Sequence, residues 1–155
     1  MNKRRLIKAA EVLENLKEER KVLNYGMAIP QKFDLSTWFT DSETFGASCK
    51  TTACAIGHFA IHPWFRKKGL KMIKNYSPFG NGKPTYSPVY KEFKEFEGVA
   101  KFFKIDVTQA YYLFTPDAYI SSERTNPKAV AKRIRAVMNN GFPPWHRMNA
   151  DGEAT

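Results

Sequence analysis

Four side chains that could bind a metal lie between residues 49 and 62. Cys49, Cys54, His58 and His62 are separated by four, three and three residues, and cysteine and histidine are the usual ligands of structural zinc. Three of the four, however, fall on one predicted helix, and a straight helix cannot wrap three ligands around an ion. The spacing therefore predicts no metal site.

The same residues suggest a second chemistry, with Cys54 as a nucleophile. Near the amino end of a helix the pKa of its thiol would be lowered, and His58, one turn later, could act as its base. Catalytic pairs of this kind usually come from separate elements, and no orienting Asp or Asn is evident. We therefore predict a buried, inert Cys54, no catalytic residue and no cofactor. A Cys/His hydrolase is the least favoured alternative.

A run of cations and aromatic residues follows between residues 64 and 74. Aromatic rings stack on nucleobases while neighbouring cations neutralise phosphates, so the pattern is typical of nucleic-acid or nucleotide binding. The alternative is a solvated helix face in which Trp64, Leu70 and Ile73 belong to the core. The residues of this run that we expect to bind a ligand are Trp64, Arg66, Lys67, Lys68, Lys71 and Lys74.

Residues 99 to 113 have the apolar spacing of a helix-turn-helix. Lys104 takes the turn position that glycine usually occupies for its positive φ, at a cost of about 1 kcal/mol. The second helix would offer Thr108, Gln109, Tyr111 and Tyr112 to a nucleic acid, whereas in a generic helical hairpin these side chains would simply pack. The residues at the apolar positions are Val99, Ala100, Phe103, Ile105, Ala110 and Leu113.

The chain is strongly basic, with 25 Lys and Arg against 15 Asp and Glu among its 155 residues. The excess is uneven: residues 62 to 104 contain ten Lys and Arg against three acidic residues. Such a field attracts phosphate-bearing partners, although charge of this size also keeps proteins soluble. In the last predicted helix we expect Lys128, Lys132 and Arg135 to contribute to the same basic surface.

The apolar periodicity predicts mostly helices. We expect an all-α or mainly α single domain over residues 1–145, with five to six helices, a Pro/Gly-rich loop or small hairpin near 77–89, and a disordered tail over 146–155. The predicted helices cover residues 3–23, 51 or 52 to 61, 90–103, 107–114 after the capping residue Asp106, and 127–140 after Asn126.

Two cysteines are too few for a disulfide scaffold, and the amino terminus has no secretory h-region. No stretch approaches the roughly 18 apolar residues that a membrane helix needs. We therefore expect a cytoplasmic protein without a membrane partner.

Several short segments are similar to a loose group of uncharacterised bacterial and phage proteins. They are residues 49–58, 63–65, 69–70, 100–103 and 113–114, and the likeness spans about two thirds of the chain. Lys50 stands where the group often has Gly, which puts a shared backbone turn there in doubt. The resemblance implies no activity, but it implies a phage or bacterial setting.

Together these patterns favour a non-enzymatic basic protein that binds a phosphate-bearing partner, with nucleic acid first. The main alternative is a phage-encoded pocket protein that binds an anionic nucleotide signal and blocks a host defence. Such a protein would need aromatics and cations around one small cavity, and it would commonly be a homodimer.

Overall fold

The computed structural model describes residues 1–16, 32–40, 52–76 and 85–144. Within these ranges the chain forms six α-helices and two small three-stranded sheets. The helices are α1 (Lys3–Glu14), α2 (Ala55–Ile61), α3 (Pro63–Lys67), α4 (Glu95–Phe103), α5 (Val107–Phe114) and α6 (Pro127–Asn140). The strands are β1 (Lys32–Phe33), β2 (Phe39–Thr40), β3 (Thr52–Ala53), β4 (Leu70–Asn75), β5 (Thr85–Tyr90) and β6 (Phe93–Lys94).

The prediction of an all-α or mainly α domain is wrong, because the chain is a mixed α and β structure. Its main sheet is antiparallel with the order β4-β5-β6, and Leu70 pairs with Tyr90 while Lys74 pairs with Tyr86. In the second sheet β3 runs parallel to β1 and antiparallel to β2. The sheets are small, and helices make up most of the described structure.

The helical alternative for residues 64 to 74 fails after Lys67, where α3 ends. Gly69 adopts a φ of +97°, a conformation that glycine tolerates, and the chain then enters β4. Leu70 and Met72 are buried on either side of the exposed Lys71, which is the two-residue period of a strand. The expected hairpin near 77–89 therefore begins earlier, at β4, and its connecting residues 77–84 lie outside the described ranges.

Two helix predictions are confirmed with their caps. Asp106 and Gln109 form a reciprocal capping box at the start of α5. Asn126 caps α6 and Pro127 occupies its first turn, and the helix ends before Gly141. Lys104 has the predicted left-handed backbone, with φ 54° and ψ 50°, in the turn between α4 and α5.

Three other helices differ from their predicted bounds. Helix α1 ends at Glu14 with Asn15 as its C-cap, and residues 17–23 of the predicted helix lie outside the described ranges. The N-cap of α2 is Cys54, because Thr52 belongs to β3. The helix expected from residue 90 starts only at Glu95, since Tyr90 and Phe93 belong to strands. The predicted tail, 146–155, lies outside the described residues.

Helix α2 is the centre of the core, and all seven of its residues are buried. It contacts α1, α3, β3, β4 and β5. Around it, aromatic rings interlock: Phe59 stacks on Phe65 with centroids 4.8 Å apart and meets Phe103 and Phe114 edge-on. The predicted stripe of small side chains explains part of this packing, because a Cβ on Gly57 would lie 1.8 Å from the Trp38 carbonyl oxygen.

We predict that Gly57→Ala destabilises the fold by about 3 kcal/mol, since the clash is with backbone that cannot rotate away. Helix propensity alone predicts the opposite sign, because Ala is favoured over Gly by about 1 kcal/mol. Urea unfolding followed by circular dichroism measures the difference. Asn139→Ala, on the exposed side of α6, is the control and should be neutral or slightly stabilising. Equal unfolding midpoints for the Gly57 variant and the unaltered chain would contradict the packing argument.

Candidate functional site

A cationic groove of about 440 Å³ lies at the end of the β4–β5 hairpin where the chain enters β4 and leaves β5. Its lining comes from the end of α3, from both strands and from the turn after β5. The lining residues are Lys68, Gly69, Lys71, Val89, Tyr90 and Lys91. We call this the lysine groove.

Backbone conformation brings the groove residues together. Gly69, with its positive φ, turns the chain so that its backbone lies beside the Tyr90 ring, where a Cβ would be 3.4 Å from Cε2. Strand register places Lys71 opposite Val89. Lys91 has a φ of +56° in the turn after β5. The groove is therefore built by the hairpin and its two flanking turns.

The Tyr90 ring lies against Arg5 and Phe102. Phe102 meets it edge-on with centroids 5.2 Å apart. The Arg5 guanidinium lies 5.6 Å from the Tyr90 centroid and 4.2 Å from that of Phe102, and its Nη1 donates a 2.6 Å hydrogen bond to the Phe102 carbonyl. Tyr90 thus packs against Phe102 and has the Arg5 guanidinium near its ring.

The electrostatics of the groove are one-sided, since its lining contains three lysines and no carboxylate. All three lysines are exposed, and in the described ranges none of them forms an ion pair. The Lys91 ammonium lies 5.4 Å from the Tyr90 ring centroid. Ammonium groups around a cavity whose lining has no carboxylate attract anions, of which phosphate is one.

The remaining predicted residues of the first basic run lie beside the groove. Trp64 is half-buried and packs edge-on against Phe65, with the Lys68 ammonium 5.9 Å from its ring. Arg66 is half-buried and Lys67 is exposed on α3. Trp64 therefore supports the core, and only the cations of α3 extend the basic surface.

Lys74 lies toward the other end of the hairpin, between two tyrosines that were not among the predicted ligand-binding residues. Its ammonium is 5.6 Å from the Tyr76 ring centroid and 6.0 Å from that of Tyr86. The phenol oxygens of Tyr86 and Tyr76 raise the pKa of Lys74. Tyr76 is 73% exposed. Extending the basic-aromatic pattern two residues past Lys74 would have found Tyr76, whereas Tyr86 is brought to Lys74 by the pairing of β4 with β5.

Two of the residues expected to bind from α5 have structural roles. Gln109 accepts from the Asp106 backbone amide, and Tyr112 packs under Arg133, whose guanidinium lies 4.7 Å from its ring. Thr108 is exposed, as are Val107 and Tyr111. The exposed part of α5 therefore contains no Arg, Lys, Asn or Gln.

The cations of α6 lie on a helix that contributes no residue to the groove lining. This helix packs mainly on α1. Lys128 and Lys132 are exposed. Arg135 instead binds Glu14 with both ends of its guanidinium, at 2.6 and 2.7 Å. This pair lowers the pKa of Glu14 and raises that of Arg135. Arg135 is thus occupied in the fold.

Cys54 is buried at the start of α2. Its Sγ accepts from the Gly57 amide at 3.4 Å and donates to the Trp38 carbonyl at 3.8 Å. Burial raises the pKa of the thiol to about 12. The lowered thiol pKa that a nucleophilic Cys54 would need is therefore wrong. His58 stacks on Phe33 with centroids 5.8 Å apart, and His62 caps α3 through Nδ1. Cys49 lies outside the described residues.

The described residues contain no group of three or more metal-binding side chains close enough to hold an ion. They also form a second cavity, of about 200 Å³, whose lining carries no charge. Its lining residues are Leu35, Ser36, Trp38, Phe96, Phe114 and Pro116. For an anionic ligand the lysine groove is the better candidate.

Comparisons with known proteins give no relative: no family model matches the chain, and no curated protein or solved structure matches it significantly. None of the helices that the structure describes has the length and hydropathy of a membrane span. Function therefore has to be inferred from the groove.

We predict that Cys54 resists alkylation in the folded chain near pH 8, because the buried thiol keeps its proton and has no access to solvent. In the Cys49→Ser background, mass spectrometry should find iodoacetamide on Cys54 only after denaturation. As the pH rises toward about 12 the native thiol begins to ionise and protection should fail. Rapid modification of the native protein near pH 8 would show that the thiol is open and reactive.

Proposed function

We propose that this chain is a non-enzymatic protein that binds nucleic acid, with the lysine groove as its main phosphate-binding surface. The observation that carries the proposal is the convergence of Lys68, Lys71 and Lys91 on one groove whose lining has no carboxylate. Phosphate contacts from lysines supply most of the affinity in sequence-independent nucleic-acid binding.

Exposed lysines also occur outside the groove. Lys67 is exposed on α3, and Lys94 and Lys101 are exposed on β6 and α4. The chain as a whole has a formal net charge of +10. A long polyanion can use cations spread over several elements, whereas a small ligand can use only those that reach it. This distribution supports a nucleic acid over a single nucleotide.

The nucleotide alternative rests on Tyr90, because an aromatic wall beside three lysines in about 440 Å³ could hold one base and its phosphates. The two proposals differ in salt dependence. A nucleotide with one to three phosphates would bind with a shallow slope, and its affinity would depend on Tyr90 more than on any one lysine.

Binding is also expected to be insensitive to base sequence. Direct readout in the major groove of DNA uses bidentate donors such as Arg, Asn and Gln. On α5 only Val107, Thr108 and Tyr111 are exposed, and Gln109 is committed to the capping box. The helix-turn-helix geometry of α4 and α5 is therefore better explained as a packing unit.

We predict that affinity for a random oligonucleotide falls steeply with salt and that Lys71→Ala makes this dependence shallower. Each lost phosphate contact reduces the slope of log K against log salt by about 0.9 on duplex DNA or about 0.7 on a single strand. Fluorescence anisotropy at several salt concentrations measures the slope. Because Lys71 is exposed, the variant should fold normally, and circular dichroism checks this.

Lys132→Ala is the matched control, since it removes the same charge from an exposed position on α6. It should leave the slope nearly unchanged. If Lys132→Ala lowers the slope as much as Lys71→Ala, binding follows net charge and the groove is not the site. No binding at about 50 mM salt and micromolar protein would refute nucleic-acid binding itself.

A further inference from the structure

The β4–β5 hairpin has a cluster of aromatic and cationic side chains toward each end. At the end where β4 finishes and β5 begins, Lys74 lies between Tyr76 and Tyr86. At the other end, Tyr90 lies among the lysines of the groove. Tyr86 and Tyr90 are four residues apart on β5 and share one side of the strand, a separation of about 13 Å along it.

Tyr76 is the feature that packing does not explain. It is 73% exposed, more than any other large hydrophobic residue among those that the structure describes, while the Lys74 ammonium stays 5.6 Å from its ring centroid. An exposed ring gains little from the core. A ring with a cation beside it can instead stack on a nucleobase while the cation meets the adjoining phosphate.

Only unpaired bases can use such rings. In a duplex the faces of the bases are already stacked on one another, so tyrosines on the protein surface gain no base contact. The lysines, in contrast, can bind the phosphates of either form. A difference in affinity between single strands and duplexes therefore measures the contribution of the aromatic residues separately from that of the lysines.

We infer that the hairpin binds single-stranded nucleic acid, with a base stacked on Tyr76 and the adjoining phosphate held by Lys74. This inference rests on the proposed function and narrows its ligand from nucleic acid in general to single strands. Stacking does not depend on base identity, so it agrees with the lack of base-reading donors on α5.

The test compares a labelled single-stranded oligonucleotide with the duplex of the same length and sequence by fluorescence anisotropy, in DNA and RNA versions. The unaltered chain should bind at least one of the single strands more tightly than its duplex. Tyr76→Ala should weaken single-strand binding by about fivefold or more and leave duplex binding within about twofold. Tyr76→Phe retains the ring and should stay close to the unaltered chain.

Tyr111→Ala is the matched control, because Tyr111 is another exposed tyrosine, 47% accessible, on α5. It should not change single-strand affinity. The inference is overturned if Tyr76→Ala has no effect, if it weakens duplex binding equally, or if Tyr76→Phe loses as much as Tyr76→Ala. In each of these cases the proposed function would still hold if Lys71→Ala made the salt dependence of the affinity shallower. Absence of binding to every oligonucleotide overturns both.

Discussion

The fold depends on the close contact between Gly57 and the backbone at Trp38. Two hydrogen bonds join this segment to the start of α2: the Cys54 amide donates to the Thr37 carbonyl at 2.7 Å, and the Cys54 thiol donates to the Trp38 carbonyl. Because Gly57 has no Cβ, the Trp38 carbonyl oxygen can also lie close to the helix. A fully buried helix needs neighbours on every side, and here one neighbour is bare backbone. Any side chain at Gly57 would push it away.

The buried helix in turn positions the lysine groove. His62 ends α2 and, through Nδ1, caps α3. Helix α3 is anchored by the buried Phe65 and leads directly to Lys68 and Gly69. The groove thus lies only one short helix away from the fully buried α2. Its flexible lysine side chains extend from backbone that the core holds in place, which lowers the ordering cost of binding.

Local signals in the sequence were sufficient for α5, α6 and the left-handed Lys104, because caps and turns involve neighbours in the chain. Local signals were insufficient for β4. Its alternation of buried and exposed residues covers only Leu70, Lys71 and Met72, which is too short to predict a strand, and the strand that pairs with it starts only after residues 77–84. The pairing of Arg135 with Glu14 spans 121 positions and has no local signal. The basic run over residues 64 to 74 could be selected from the sequence, but its division between the core and the groove required the tertiary structure.

The two kinds of cation in the chain have different roles. Several arginines are bound to the protein itself: Arg5 to the Phe102 carbonyl, Arg124 to that of Pro116, and Arg133 to those of Tyr112 and Ala118. A planar guanidinium suits this task, because it satisfies carbonyls at helix ends while stacking on rings. The cations that line the groove are all lysines, which act as hydrated point charges. A phosphate-bearing partner of the kind proposed above would meet mobile ammonium groups beside the Tyr90 ring, and this combination would favour phosphate and base-stacking contacts over the recognition of a particular base sequence.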